Sequence, residues 1–327
     1  YNSSLDSLNF NMEQATAFYN KQRELLALGK IQDVIYDSTR ISWTTNVLNA
    51  AKKNEIIPLD KIGENSNCLY RPYFKQYGCY SRFWNERVYQ LPKLFPTSKY
   101  KNLVICVSGV GVTKDFSCII TDMLPDLELI GKSQCFPLYW YEENKNKQQT
   151  LSLFDTESSD DYIRRDGITD WILKEVRTRF GNARKITKET IFYYVYGLLH
   201  SPKYREAFAA DLKKSLPRIP IVEDIDAFLD FSYAGKQLAN LHLNYEEIPA
   251  YEGVTVIGDR QKEEAPDGRM IAGTTDLYAV KVDYKYYEVE KMRFPKKGQK
   301  DTIIYNSSIR IENIPDEAYE YIVNGKS

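Results

Sequence analysis

The sequence has little of what most catalytic and metal-binding sites are built from. Histidine occurs twice, at His200 and His242, and cysteine five times, at Cys68, Cys79, Cys106, Cys118 and Cys135, with no Cys-x-x-Cys pair. An odd set of thiols far along the chain from both imidazoles argues against a zinc site and a disulfide framework, and fits a reducing cytoplasm. No apolar run approaches the roughly 18 residues that a membrane span requires, so no membrane insertion is expected. The chain contains no G-x-x-x-x-G-K-[ST] phosphate loop, no H-E-x-x-H and no G-x-S-x-G elbow. Two adjacent prolines never occur, which removes the Asn/Asp-Pro-Pro-aromatic motif with which amino-methylating enzymes hold a target amine. An excess of one charge is missing too: 44 Lys and Arg stand against 45 Asp and Glu. The opening Tyr1-Asn2-Ser3-Ser4 has neither a starting Met nor a basic or apolar leader. That predicts no secretory signal and a piece of a longer chain.

What is present is a globular composition, 43% hydrophobic over 327 residues, with charge gathered in blocks. Between Tyr70 and Lys101 there are seven basic residues (Arg71, Lys75, Arg82, Arg87, Lys93, Lys99, Lys101) and one acid, Glu86. Ten aromatics, among them Tyr70, Tyr73, Phe74, Phe83 and Trp84, interleave with them. A second block, Tyr162 to Arg218, carries thirteen basic residues against six acids and is flanked by the acidic stretches 155–161 and 223–226. Local basic surface, rather than a basic average, is what nucleic-acid contact requires. Tyrosines lining a sheet and snorkelling lysines produce the same composition without DNA, and the concentration here exceeds what that packing needs.

The periodicities predict a mixed α+β chain. Residues 1–60 form a helical lead-in, with amphipathic helices over Met12–Leu28 and Ser42–Lys53. Residues 61–154 form an α/β core, with strands at Leu69–Phe74, Leu103–Val107, Cys118–Thr121 and Cys135–Tyr141. The polar run Asp155–Asp161 reads as a surface loop and boundary. Residues 162–248 are helical: Ile168–Phe180, Lys188–His200 after a Thr187 cap, a helix from the Ser201-Pro202 start to Ser215, and Ala227–Leu241. Residues 249–327 return to a period of two at Val254–Ile257, Tyr278–Val282, Thr302–Tyr305 and Ile309–Ile311.

Sites for chemistry are sparse. Gly109-Val110-Gly111 after a strand lacks the third glycine and the ribose acid of a dinucleotide loop and reads as a tight turn. Asp126, Glu143 and Lys145 are the best enzymatic candidate, a Mg²⁺ nuclease in which two acids hold the metal and the lysine meets the phosphorane. Against it, Glu142 to Gln149 is polar throughout and reads as solvated loop. Both histidines read as structural.

Longer strings carry a resemblance. Leu69-Tyr70-Arg71-Pro72-Tyr73, Asn85-Glu86-Arg87, Phe95-Pro96-Thr97, the run from Asn102 to Gly109 and Gln134-Cys135-Phe136-Pro137-Leu138-Tyr139 succeed one another as in the single-polypeptide type I (type ISP) restriction-modification enzymes. The run from Phe192 to Pro202, Leu216-Pro217-Arg218-Ile219-Pro220, Leu241-His242-Leu243-Asn244-Tyr245 and the run from Lys291 to Gly298 resemble that family's C-terminal specificity region. The resemblance implies recognition of a short asymmetric sequence in double-stranded DNA. It also implies that an endonuclease, a helicase-like ATPase and an adenine methyltransferase lie elsewhere in the parent chain, with S-adenosylmethionine, ATP and Mg²⁺ serving those parts. No catalytic residue, cofactor or metal is expected within these residues. It supplies no contact set, so the candidates rest on charge and context. Arg71, Arg82, Asn85 and Arg87 lie in a strand-and-loop setting suited to base edges, Lys75 beside them is a further DNA-binding candidate, and Lys203, Arg205, Lys213 and Lys214 lie on a helix suited to phosphates. For Arg71 a buried structural ion pair is the competing expectation. A protein-interaction module without DNA affinity, its tyrosines forming an interface, is the remaining alternative.

Overall fold

A computed structural model describes residues 1–58, 63–81, 83–85, 88–145, 161–181, 183–258, 286–289 and 291–326. Two compact units divide the chain, Tyr1–Tyr245 and Glu246–Ser327. The mixture of helices and small, largely antiparallel sheets is the α+β class that the periodicities predict.

The first unit opens with α1 (Leu5–Ala27), which Ser4 caps by accepting from the Ser7 amide, and α2 (Thr45–Lys52), capped in the same way by Thr44. Their facing residues Phe18, Tyr19, Val47, Ala50 and Ala51 form a small core that Phe83 and Trp84 help to cover. Next come β1 (Glu64–Arg71) and β2 (Phe74–Tyr80), an antiparallel hairpin. A single strand over Leu69–Phe74 is therefore not what forms. Pro72 and Tyr73 make the turn, Tyr73 with a positive φ of 55°, and the chain reverses inside the predicted run. The short helix α3 (Leu91–Leu94) leads to β3 (Val104–Val107), β4 (Cys118–Thr121), β5 (Leu124–Pro125) and β6 (Gln134–Pro137). Strands β4, β3 and β6 form an antiparallel sheet in that order, while β5 adds in parallel to β1. In the three-stranded sheet Cys106 stands directly opposite Cys135 with 3.7 Å between the sulfurs. Strand β7 (Tyr139–Glu143) pairs with β8 (Tyr162–Asp166), so the predicted strand Cys135–Tyr141 is two strands broken at Leu138. The buried amide of Asn102 closes that break: it donates to the carbonyls of Leu94 and Tyr139 and accepts from the amides of Leu103 and Tyr139.

Four helical segments follow. They are α4 (Asp170–Arg179), α5 (Lys188–His200) with a Thr187–Thr190 capping box, the short pair α6 (Pro202–Ala207) and α7 (Ala209–Leu212), and α8 (Ile225–Leu243) capped by Asp224. The continuous helix expected from Ser201 to Ser215 breaks at Phe208, whose φ of −111° and ψ of 16° lie outside helical values. Helices α5 and α8 lie against one another and against the β4-β3-β6 sheet. Ile105, Val107, Cys118 and Ile120 share one core with Ile191, Phe192, Tyr194, Tyr196, Leu198 and Phe228. The stretches 61–154 and 162–248 thus bury their apolar faces in common. At the helix crossing Gly197 and Gly235 bring backbone against backbone: a Cβ on Gly235 would lie 2.0 Å from the Tyr193 carbonyl oxygen.

In the second unit β9 (Thr255–Ile257), β10 (Ile303–Ile304) and β11 (Arg310–Glu312) form a sheet in the order β10-β11-β9. Asn306 ties it together by accepting from the amides of Ser308 and Ile309. The expected strand at 278–282 lies outside the described residues, as does nearly all of the loop at 155–161. No helix among the described residues is long and apolar enough to cross a membrane.

Candidate nucleic-acid interface

The basic residues singled out from the sequence divide among three settings. At the end of β1, Arg71 is committed: Nη1 lies 2.9 Å from Asp126 Oδ1 and donates to the Tyr70 carbonyl at 2.6 Å. Its guanidinium also stacks 4.0 Å over the Tyr70 ring. The structural ion pair is thus the arrangement that forms. Lys75, across the hairpin on β2, holds its ammonium 4.8 Å over the Tyr245 ring. Asn85 is exposed, and its Oδ1 accepts from the Ser81 amide at 2.9 Å, which closes a local loop. Arg82 and Arg87 lie outside the described residues.

The aromatics of the first basic block are largely used in packing, more so than their density implied. Phe83 and Trp84 meet Tyr19 edge-on, Tyr73 packs on His242 and Tyr245, and Tyr100 on Tyr141 and Tyr162. Edge-to-face contact of this kind favours ordered aromatic clusters over free stacking platforms.

The helical cations do not line one regular helix. On α6, Lys203 is exposed, whereas Arg205 turns inward, its Nε donating to the Leu199 carbonyl at 2.6 Å and its guanidinium 5.8 Å from the Phe116 ring. Lys213 and Lys214 follow α7 and are exposed. Lys213 pairs with Asp115 at 2.9 Å, and its carbonyl accepts from the Gly111 amide at 3.4 Å. The fold therefore joins the end of the helical block to the loop between β3 and β4, some hundred residues earlier in the sequence. That loop runs from Gly109 to Phe116, beyond the Gly109-Val110-Gly111 turn that the sequence predicts. Its outward side chains include Lys114, and Lys132 lies on its other flank, where the Gly109 amide donates to the Gly131 carbonyl at 3.1 Å. A Cβ at Gly109 would lie 2.1 Å from the Lys132 carbonyl oxygen, so only glycine allows this approach. Neither lysine stood out in the sequence, because each sits alone in its own stretch.

The nuclease candidates fare differently from expectation. Asp126 is not a solvated turn charge: it holds Arg71, and its Oδ1 accepts from the Glu128 amide at 2.8 Å. Glu143 is the last residue of β7 rather than part of a loop after it, opposite Tyr162 on β8, while Asp126 follows β5 in another sheet. Among the described residues no group of three or more His, Cys, Asp and Glu is placed to hold a metal ion. The two histidines, far apart in sequence, meet inside the first unit with ring centroids 5.6 Å apart. His242 Nδ1 pairs with the Tyr196 hydroxyl at 2.6 Å, and His200 Nδ1 lies 2.9 Å from the Tyr196 carbonyl oxygen. Burial lowers both imidazoles to about 4, and the nearby Arg205 acts in the same direction. Both are uncharged at neutral pH and contribute packing, as the sequence implied.

Known proteins place this arrangement. The chain is similar to the ATP-dependent Type ISP restriction-modification enzyme LlaBIII bound to DNA, at 34% identity over 99% of this chain and 18% of that one, with a TM-score of 0.77. It is similar to a nuclease-deletion mutant of the Type ISP restriction-modification enzyme LlaGI in complex with a DNA substrate mimic, at 32% identity over 97% of this chain and 25% of that one, with a TM-score of 0.71. It also matches DrdV in its DNA complex, at 26% identity over 100% of this chain and 29% of that one, with a TM-score of 0.77. The chain therefore spans less than a third of the length of each. None of the curated proteins compared with it matches. A family model described as the Type ISP C-terminal specificity domain covers residues 1–327, and with the two Type ISP structures above 30% identity it establishes that the chain belongs to the Type ISP C-terminal specificity domain family.

Proposed function

We propose that the chain recognises a specific sequence in double-stranded DNA on behalf of catalytic domains carried elsewhere in a parent restriction-modification polypeptide. The observation that carries this reading is its likeness, over almost its whole length, to three proteins whose structures hold DNA or a DNA mimic. Exposed cations at Lys203 and Lys214 suit phosphate contact, whereas Lys213 is paired with Asp115. Arg71 and Arg205 act from behind, as braces of the surface, because their guanidinium groups are already engaged. Adenine methylation, ATP hydrolysis and cleavage, with S-adenosylmethionine, ATP and Mg²⁺, belong in this reading to the parent's other parts, and the setting is the cytoplasm. The test is fluorescence anisotropy of the chain with a labelled duplex across a salt series. With about four phosphates neutralised, affinity should fall roughly 100-fold between about 50 and 200 mM salt, since released counterions supply much of the binding free energy. Binding that is absent at low salt, or flat across the series, defeats the reading.

A further inference from the structure

The loop between β3 and β4 has a fixed neck and an exposed tip. At the neck the Ser108 amide donates to the Ser117 carbonyl at 3.0 Å, and the Ser117 amide to Ser108 Oγ at 2.9 Å; both serines are buried. One flank is anchored by the Gly109–Gly131 hydrogen bond and the other by the Gly111–Lys213 hydrogen bond. The single acid of the loop, Asp115, is neutralised by Lys213 at 2.9 Å, so it presents no unbalanced negative charge to a polyanion. Between the two anchored glycines Val110 is 49% exposed, and past them Thr113 and Lys114 are exposed. An exposed valine contributes nothing to a phosphate contact, but a methyl group at such a tip matches the thymine 5-methyl group. A threonine hydroxyl both donates and accepts, and a lysine donates to guanine O6 and N7. On the flanks Lys132, its amide held by Glu128 Oε2 at 3.1 Å, and Lys214 stand exposed one residue from the anchors.

We propose that Val110, Thr113 and Lys114 of this loop read base edges of the target duplex, while Lys132 and Lys214 hold phosphates on its two sides. The proposal rests on the DNA-reading function above and reassigns base readout from the β1–β2 hairpin, whose Arg71 is bound to Asp126. A rigid neck matters because ordering a loop on binding subtracts from the affinity that its contacts supply.

The experiment is selection from a randomised duplex pool by the chain and by a Val110→Ala, Thr113→Ala, Lys114→Ala triple variant. The unaltered chain should return a defined motif. The triple variant should return that motif relaxed at one to three base pairs, discrimination at each falling about 5- to 150-fold. Its affinity for a random duplex should stay within about threefold, one phosphate contact being the most that Lys114 can add. A Lys132→Gln, Lys214→Gln variant should keep the motif, bind every duplex more weakly and lower the salt slope by about two. An unchanged motif with undiminished discrimination in the triple variant overturns the loop's role and leaves DNA reading intact. Failure of the unaltered chain to select any motif removes the function itself and the proposal with it. Should the triple variant unfold, the near-isosteric Thr113→Val and Lys114→Gln variants, read by the same selection, decide.

Discussion

At the scale of single residues, several of the polar groups that stand out in the sequence are committed before any partner arrives, Arg71, Asp126 and Arg205 among them. Arg71 is the clearest instance: an arginine amid tyrosines reads from sequence as a free guanidinium, and its partner, Asp126, lies 55 positions away across a parallel strand pair. No local spacing reports such a pairing, so its ion pair was legible only as an alternative. The histidines were legible as structural but not as neighbours, because the crossing of α5 with α8 brings them together. Their burial has a sign that can be tested. Above about 6.5, the ordinary histidine value, both imidazoles are neutral whether the chain is folded or not. Below it the unfolded chain takes up protons that the fold resists until about 4, so stability falls through that window and levels off beneath it. Urea midpoints measured from pH 7 to 4 should decline, and a His242→Gln variant, still able to meet the Tyr196 hydroxyl, should decline less. An equal decline in both would show that carboxylates alone set the acid limit.

At the scale of elements, the contact between α5 and α8 is the most demanding in the first unit. Mid-helix glycine costs about 1 kcal/mol relative to alanine in helix propensity, so Gly197 and Gly235 weaken each helix alone. They are used where a side chain has no room: a Cβ on Gly197 would lie 2.3 Å from the Phe231 carbonyl oxygen. Gly235→Ala should therefore destabilise by about 1–3 kcal/mol or more through overpacking, despite its better propensity, read as a lower denaturant midpoint with no gain in helicity. A stabilised variant would mean that the helices part freely. Helix positions were the most legible part of the fold, since Thr187 and Ser201 cap the helices they precede. Strands were less so. A turn formed by Pro72 and Tyr73 and a break at Leu138 interrupt runs that hydropathy alone reads as continuous, and Phe208 leaves helical values inside a stretch that reads as one helix. The candidate interface was least legible, for the β3–β4 loop gains its cationic neighbours only when Lys213 folds back onto it.

At the scale of the whole molecule, family membership was readable in ordered strings of sequence, whereas which surface meets the duplex was not, because that depends on contacts between distant stretches. The sulfurs of Cys106 and Cys135 are the two on β3 and β6 that already face each other, 3.7 Å apart and 29 positions apart in sequence. Directly paired antiparallel positions fall within the Cα separations that a disulfide spans. Diamide, an azo oxidant, should withdraw two electrons and two protons from this pair, becoming the hydrazine as one S–S bond forms. The product should be lighter by two hydrogens, carry a single crosslinked peptide linking 106 to 135, and keep Cys68 and Cys118 alkylatable after denaturation. A covalent loop of that length should raise stability by about 3–4 kcal/mol less any strain, so the oxidised chain would melt higher than the reduced one. A crosslink to another thiol, or none, would mean that the sheet does not hold this register in solution. Preparations made without reductant would then be mixtures of two covalent species differing in the stiffness of the strand that leads into the β3–β4 loop.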